Sequence, residues 1–137
     1  MLDSGAIAAL FFNDPYSESV ETAIYKYESF HTVDFALAEV CNVAWKRVKI
    51  FGEDINTCTK ALSLARDFVE NACQVTESRE LMRQALEIAV EENINAYDSL
   101  FLALAKRARS KLLTTDRPLH RKLLDSKKVS GITILPS

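Results

Sequence analysis

An α/β domain, a small parallel sheet covered by helices, is the fold class this sequence predicts, and three observations predict it. Five segments carry apolar residues at helical spacing. Short stretches of strand character fall between them, so successive strands are joined through helices, the connection that parallel pairing needs. The chain has 137 residues and 48% hydrophobic composition. That is the size of one domain, residues 1–137, and enough to bury a core without disulfides or metal.

The elements follow in order. Met1–Asp3 is expected as a first strand. Tyr16–Tyr27 places Val20, Ala23, Ile24 and Tyr27 on one helical face, and Phe30–Val33 is expected as the next strand. Phe35–Phe51 reads as a helix through Phe35, Val43, Ala44 and Val48, with Gly52 just past its end. Thr57–Ala72 repeats Ala61, Leu62, Ala65, Phe68, Val69 and Ala72, with Asn56 as its N-cap. Gln74–Thr76 is a further strand, followed by a helix over Glu80–Glu92. Ala96–Arg109 differs because Leu100-Phe101-Leu102-Ala103-Leu104-Ala105 is apolar all round, which predicts a central, buried helix. Lys111–Thr114 and Thr133–Leu135 complete the strands.

Composition excludes several classes. A net charge of −2 with this apolar content excludes disorder. The apolar run Ala6–Phe12 is far short of the roughly 18 residues a membrane helix needs. The first ionisable side chain is Asp3, so an export signal is not expected. Cys41, Cys58 and Cys73 are an odd set without metal-ligand spacing, which predicts buried thiols in a reducing compartment and a cytoplasmic location.

Four acids stand beside apolar neighbours rather than on charged faces: Asp3 after the first strand, Glu39 within Phe35–Val40, Asp98 at the start of the apolar helix, and Asp116 after Leu112–Thr115. In a parallel α/β unit the strand ends and the helix starts share the carboxyl edge of the sheet, where ligands bind. All four acids are therefore expected there. At ~5 Å and an effective dielectric of ~20, each pair repels by about 3 kcal/mol. A divalent cation offsets this, and carboxylate oxygens suit Mg²⁺ or Mn²⁺. The chemistry such a site supports is phosphoryl transfer to water. Structural roles compete: Asp3 and Asp116 as N-caps, and Asp98 at N3 behind an Asn95 N-cap. Glu39 has no capping role, which makes it the informative member. Residues 106–128 contain nine Lys and Arg, and Arg117 and Arg121 flank Asp116 where phosphates would enter.

Leu2-Asp3-Ser4, Ala38-Glu39-Val40, the Tyr97–Ala105 block and Leu113-Thr114-Thr115-Asp116 together resemble the PIN-domain family, in its small prokaryotic VapC-type branch. The resemblance runs through essentially the whole chain. It implies a three-layer α/β/α fold with about four to five short strands. It also implies a Mg²⁺- or Mn²⁺-dependent endoribonuclease, commonly a dimeric toxin paired with a small antitoxin protein. Asp3, Glu39, Asp98 and Asp116 match the family's acidic quartet, catalytic and metal-binding. Ser4 and Thr114 match its supporting hydroxyls. Only Met1-Leu2 precede Asp3, so the first strand is expected to be shorter than in relatives.

The alternative is a PIN-like module that binds RNA or metal without efficient cleavage. A phosphoacceptor receiver domain would carry paired acids after its first strand, and a haloacid-dehalogenase-type phosphatase would need Asp-x-Asp there. Asp3-Ser4-Gly5 supplies neither.

Overall fold

A side chain that can accept a hydrogen bond stands at the start of four of the helices and fixes where each begins. The computed structural model describes residues 1–136. Met1–Asp3 is extended and turns at once into α1 (Ser4–Phe11), because the Asp3 carboxylate caps the first turn. Then come α2 (Ser17–Ile24), β1 (Phe30–Val33), α3 (Phe35–Lys49), α4 (Ile55–Ala72) and β2 (Cys73–Thr76). A 3₁₀ turn (Ser78–Glu80) leads into α5 (Met82–Glu92), α6 (Ala96–Arg107), β3 (Leu112–Leu113), α7 (Arg117–Leu123) and β4 (Thr133–Ile134).

The result is a helix-rich α/β/α fold with a small parallel β component, but not a single sheet of four or five strands. β1 pairs with β2 in parallel, from Phe30 opposite Cys73 to Val33 opposite Thr76. β3 pairs with β4 in parallel through two residues each. These are two separate two-stranded sheets. The expected first strand lies between them and amounts to one isolated bridge, Leu2 to Leu113. The Leu2 N–H donates to the His31 carbonyl at 2.9 Å, and the Leu113 N–H donates to the Met1 carbonyl at 2.9 Å. The reason for the correction is geometric. Asp3 is already the cap of α1, so the extended backbone turns into a helix directly after the Leu2–Leu113 bridge.

α6 is central, as its composition requires. Every side chain from Ser99 to Ala105 is buried, and the helix packs against α5, β1 and β3. α4 buries Cys58, Ala61, Ala65 and Val69 at spacings of three and four, the stripe expected of an amphipathic helix. Its cap is Asp54, whose carboxylate accepts the Thr57 N–H at 3.0 Å, and not Asn56. α5 begins two residues later than expected because Ser78–Glu80 closes a tighter turn. Gly52, at φ +70°, takes the left-handed position beyond α3 that a side chain would resist. Among the described residues no helix is long and apolar enough to cross a membrane. All three cysteines are free, but only Cys58 is buried as expected: Cys41 is exposed on α3, and Cys73, at the start of β2, is half-buried.

Candidate active site

The four acids enter from four helix starts. Asp3 is buried, and its Oδ1 accepts the Ala6 N–H at 2.8 Å. Asp116 caps α7 in the same way, its Oδ1 accepting the Leu119 N–H at 2.9 Å. Asp98 is the third residue of α6. Its N–H donates to Asn95 Oδ1 at 2.8 Å, and Asn95 Nδ2 donates to Asp98 Oδ2 at 2.9 Å. Asp3 and Asp116 therefore cap as expected, and Asp98 stands at N3 behind the Asn95 cap as expected, but its carboxylate takes the Asn95 side-chain amide rather than a backbone N–H. These roles do not compete with a shared site, because an ionised carboxylate has about four acceptor positions and each role occupies one. Glu39, on the second turn of α3, caps nothing. Its Oε1 accepts the Ser4 hydroxyl at 3.0 Å across 35 residues of sequence.

Electrostatics tie the acids together. Burial raises the Asp3 carboxyl to about 6; hydrogen bonds from the Thr114 hydroxyl and the Ala6 N–H oppose the rise, and the charges of Asp98 and Asp116 add to it. Burial raises Glu39, against the Ser4 hydrogen bond and with repulsion from Asp98. Burial raises Asp98 too, against Asn95 and with repulsion from Asp116. The chain of repulsions reaches all four. Among the described residues, none of the four forms a salt bridge with Lys, Arg or His. This is a concentration of hard oxygen donors with negative charge left uncompensated by protein, the chemistry that fits Mg²⁺ or Mn²⁺. The side chains are not yet gathered around a point: among the described residues no three of the His, Cys, Asp or Glu side chains stand in metal-holding geometry. Their oxygens are turned to the N–H and O–H donors named above.

The two hydroxyls that the sequence singles out hold the acids in place. Thr114 is fully buried; its Oγ1 accepts the Asp116 N–H at 3.0 Å, and its hydroxyl also lowers the Asp3 carboxyl. One hydroxyl thus acts on both the first and the last acid. Two further residues touch this group of acids. A Cβ on Gly5 would stand 2.7 Å from Thr115 Oγ1 and 3.5 Å from Asp3 Oδ1, so the lack of a side chain lets α1 lie against the loop after β3. Asn95 is legible as a cap, but its second hydrogen bond, to the Asp98 carboxylate, is not. The arginines lie on α7, which Asp116 starts. Arg117 Nε donates to the Tyr16 hydroxyl at 2.9 Å, with its guanidinium 5.6 Å above the Tyr16 ring centre. Arg121 is exposed one turn further on.

Residues 1–122 match the family described as PIN domain, a span that contains all four acids, both hydroxyls and both arginines. The chain belongs to the PIN-domain family. Within that family it is similar to a VapC-type protein, Ribonuclease VapC3 of Pyrobaculum aerophilum, with 32% identity over 126 residues. The alignment covers 89% of this chain and 92% of the relative. The PIN match ends inside α7, so β4 lies beyond it while the whole acidic group lies within it.

Proposed function

We propose that this PIN domain is a metal-dependent endoribonuclease that hydrolyses RNA phosphodiester bonds, and that it serves as the toxin of a toxin–antitoxin pair. The observation that carries the reading is the linked repulsion of Asp3, Glu39, Asp98 and Asp116, four acids on four elements with no basic partner among the described residues. Structural caps would gain nothing from being placed where they repel. Membership of the PIN family and the likeness to a protein named a ribonuclease support the same conclusion.

The four carboxylates would hold Mg²⁺ or Mn²⁺, which when bound neutralises phosphate charge and polarises the reacting centre. Glu39, free of any capping duty, accepts the proton of the attacking water as its oxygen bonds to phosphorus. The bond from phosphorus to the leaving oxygen breaks, and that oxygen takes up a proton. Ser4 keeps Glu39 oriented, and Thr114 keeps Asp3 and Asp116 in register. Arg117 and Arg121 meet the flanking phosphates, contacts that position RNA without reading its bases.

Two exposed apolar surfaces support protein partners. Trp45, Ile50, Phe51 and Ile55 cluster at the α3–α4 turn, and Met82, Leu86 and Val90 form a stripe on α5. We assign a small antitoxin protein and a second copy of the chain to these surfaces, and a cytoplasmic location to the complex. The alternative, a module that binds without cutting efficiently, draws on the acids not yet being gathered around a point. One assay separates them. Purified protein with Mn²⁺ should cleave RNA and stop in chelator; binding of Mn²⁺ and RNA without cleavage would favour the module.

A further inference from the structure

Two aromatic rings stand beside the acids, on the first turns of α3 and α6. Phe35 and Tyr97 stack with ring centres 5.0 Å apart and planes 10° from parallel. Phe35 is half-buried and packs on the hydrophobic core. It therefore fixes one side of Tyr97, while Tyr97 remains 58% exposed. Tyr97 immediately precedes Asp98. Phe35 is four residues before Glu39, which puts the two on one face of α3, a single turn apart. The stack thus joins the start of α3, the helix that carries Glu39, to the start of α6, the helix that carries Asp98. A lone exposed aromatic needs no explanation. An exposed ring backed by a second ring that is anchored in the core is a rigid flat surface, and this one stands on the first turns of the two helices that carry Glu39 and Asp98.

We propose that Tyr97 is the stacking platform for a nucleobase next to the cleaved phosphodiester bond, with Phe35 as its backing. The inference rests on the nuclease reading above. Every base presents a π face, so such a platform tolerates any sequence and strengthens binding by about 5- to 150-fold per base. Because the ring is already held by Phe35, little freedom is lost when the base arrives. Tyr97 positions the substrate, and takes no part in the proton transfers.

The test uses an oligoribonucleotide that the wild type cuts at one bond, and two copies with an abasic ribose on one or the other side of it. Tyr97→Ala should lower kcat/KM on the intact substrate by about 5- to 150-fold. One abasic substrate should lower the wild-type value by a similar factor, and the variant should lose nothing further on that substrate. Tyr97→Phe should keep wild-type behaviour, since it keeps the ring. Losses that multiply on both abasic substrates would overturn the proposal. So would a Tyr97→Phe loss equal to that of Tyr97→Ala, or a change of oligomeric state that accounts for the effect. A second readout does not need cleavage. In a Glu39→Gln background, an oligonucleotide with 2-aminopurine at the flanking position should be quenched on binding, and Tyr97→Ala should remove the quenching that Tyr97→Phe retains. If the wild type cut no RNA, the nuclease reading would fail, while this quenching pattern would still assign the base to the ring. Quenching unaffected by Tyr97→Ala would refute the platform whatever the enzyme does.

Discussion

Replacing Asp3 by Asn isolates the charge at the most buried of the four acids. Asn keeps an oxygen to accept the Ala6 N–H, so the cap of α1 survives. What changes is the cost of holding a carboxylate in a buried place beside Asp98 and Asp116. Asp3 titrates at about 6 against an ordinary value of 3.8. A rise of that size corresponds to about 3 kcal/mol between the protonated and ionised forms. The folded value lies above the unfolded one, so the native state holds the proton more tightly. The stability this confers is fully present below about pH 4 and lost as pH rises through about 6. Asn has no such loss. In chelator, the stability of Asp3→Asn relative to wild type should therefore improve by about 2–3 kcal/mol between pH 4 and pH 8. The amide that now faces Thr114 adds a penalty, but that penalty is independent of pH, so the slope carries the result. Urea melts of both proteins at pH 4, 6 and 8 measure it. A constant difference across the range would refute the buried, repelled carboxylate.

Other perturbations test other parts of the site. Asp98→Asn should stabilise the chelated protein at pH 8 and reduce the stabilisation that Mn²⁺ gives in thermal melts, because ligand binding stabilises the native state by mass action; a less stable variant with an unchanged Mn²⁺ response would leave Asp98 with its capping role alone. Gly5→Ala should cost about 1–3 kcal/mol in urea melts, since its Cβ would meet Thr115 Oγ1 at 2.7 Å; wild-type stability would mean that the loop after β3 yields freely. Arg117→Ala with Arg121→Ala should weaken RNA binding alike for unrelated sequences and flatten its dependence on salt. An unchanged salt slope would move the phosphate contacts to another face.

Much of this is legible in the sequence where local chemistry decides the outcome. Phe30–Val33 reads as a strand because its residues are aromatic or β-branched beside a helix start, and β1 has those bounds. Leu100–Ala105 has no polar side to turn to water, so its burial follows directly. Asp3, Asn95 and Asp116 each precede a helix and each caps it. What escapes depends on residues meeting from afar. The split into two sheets follows from the two-residue lengths of β3 and β4 and from the helix that starts at Ser4, and strand character cannot reveal ladder length. Asp54, Asn56 and Thr57 are all capping types within four residues, and only the fold chooses Asp54. α1 shows no amphipathic stripe, because Gly5 and the apolar run after it have no polar face, and Asp3 as a cap is its one local sign. For the proposed site, residue type and topology suggest the four acids and Arg117 and Arg121, and the structure adds the mutual repulsion of the acids. The Ser4–Glu39 hydrogen bond and the Phe35–Tyr97 stack join distant segments that no local spacing relates.

The most direct test of the central claim, that four acids form one metal-dependent hydrolytic site, is the cleavage rate of Glu39→Gln at saturating Mn²⁺. Gln preserves the volume of the side chain and can still accept the Ser4 hydrogen bond, and Glu39 caps no helix, so thermal melts should show an intact fold. The account predicts cleavage reduced by at least about 100-fold, the low end of what a proton-transfer group contributes. Cleavage by Glu39→Gln at the wild-type rate would contradict it.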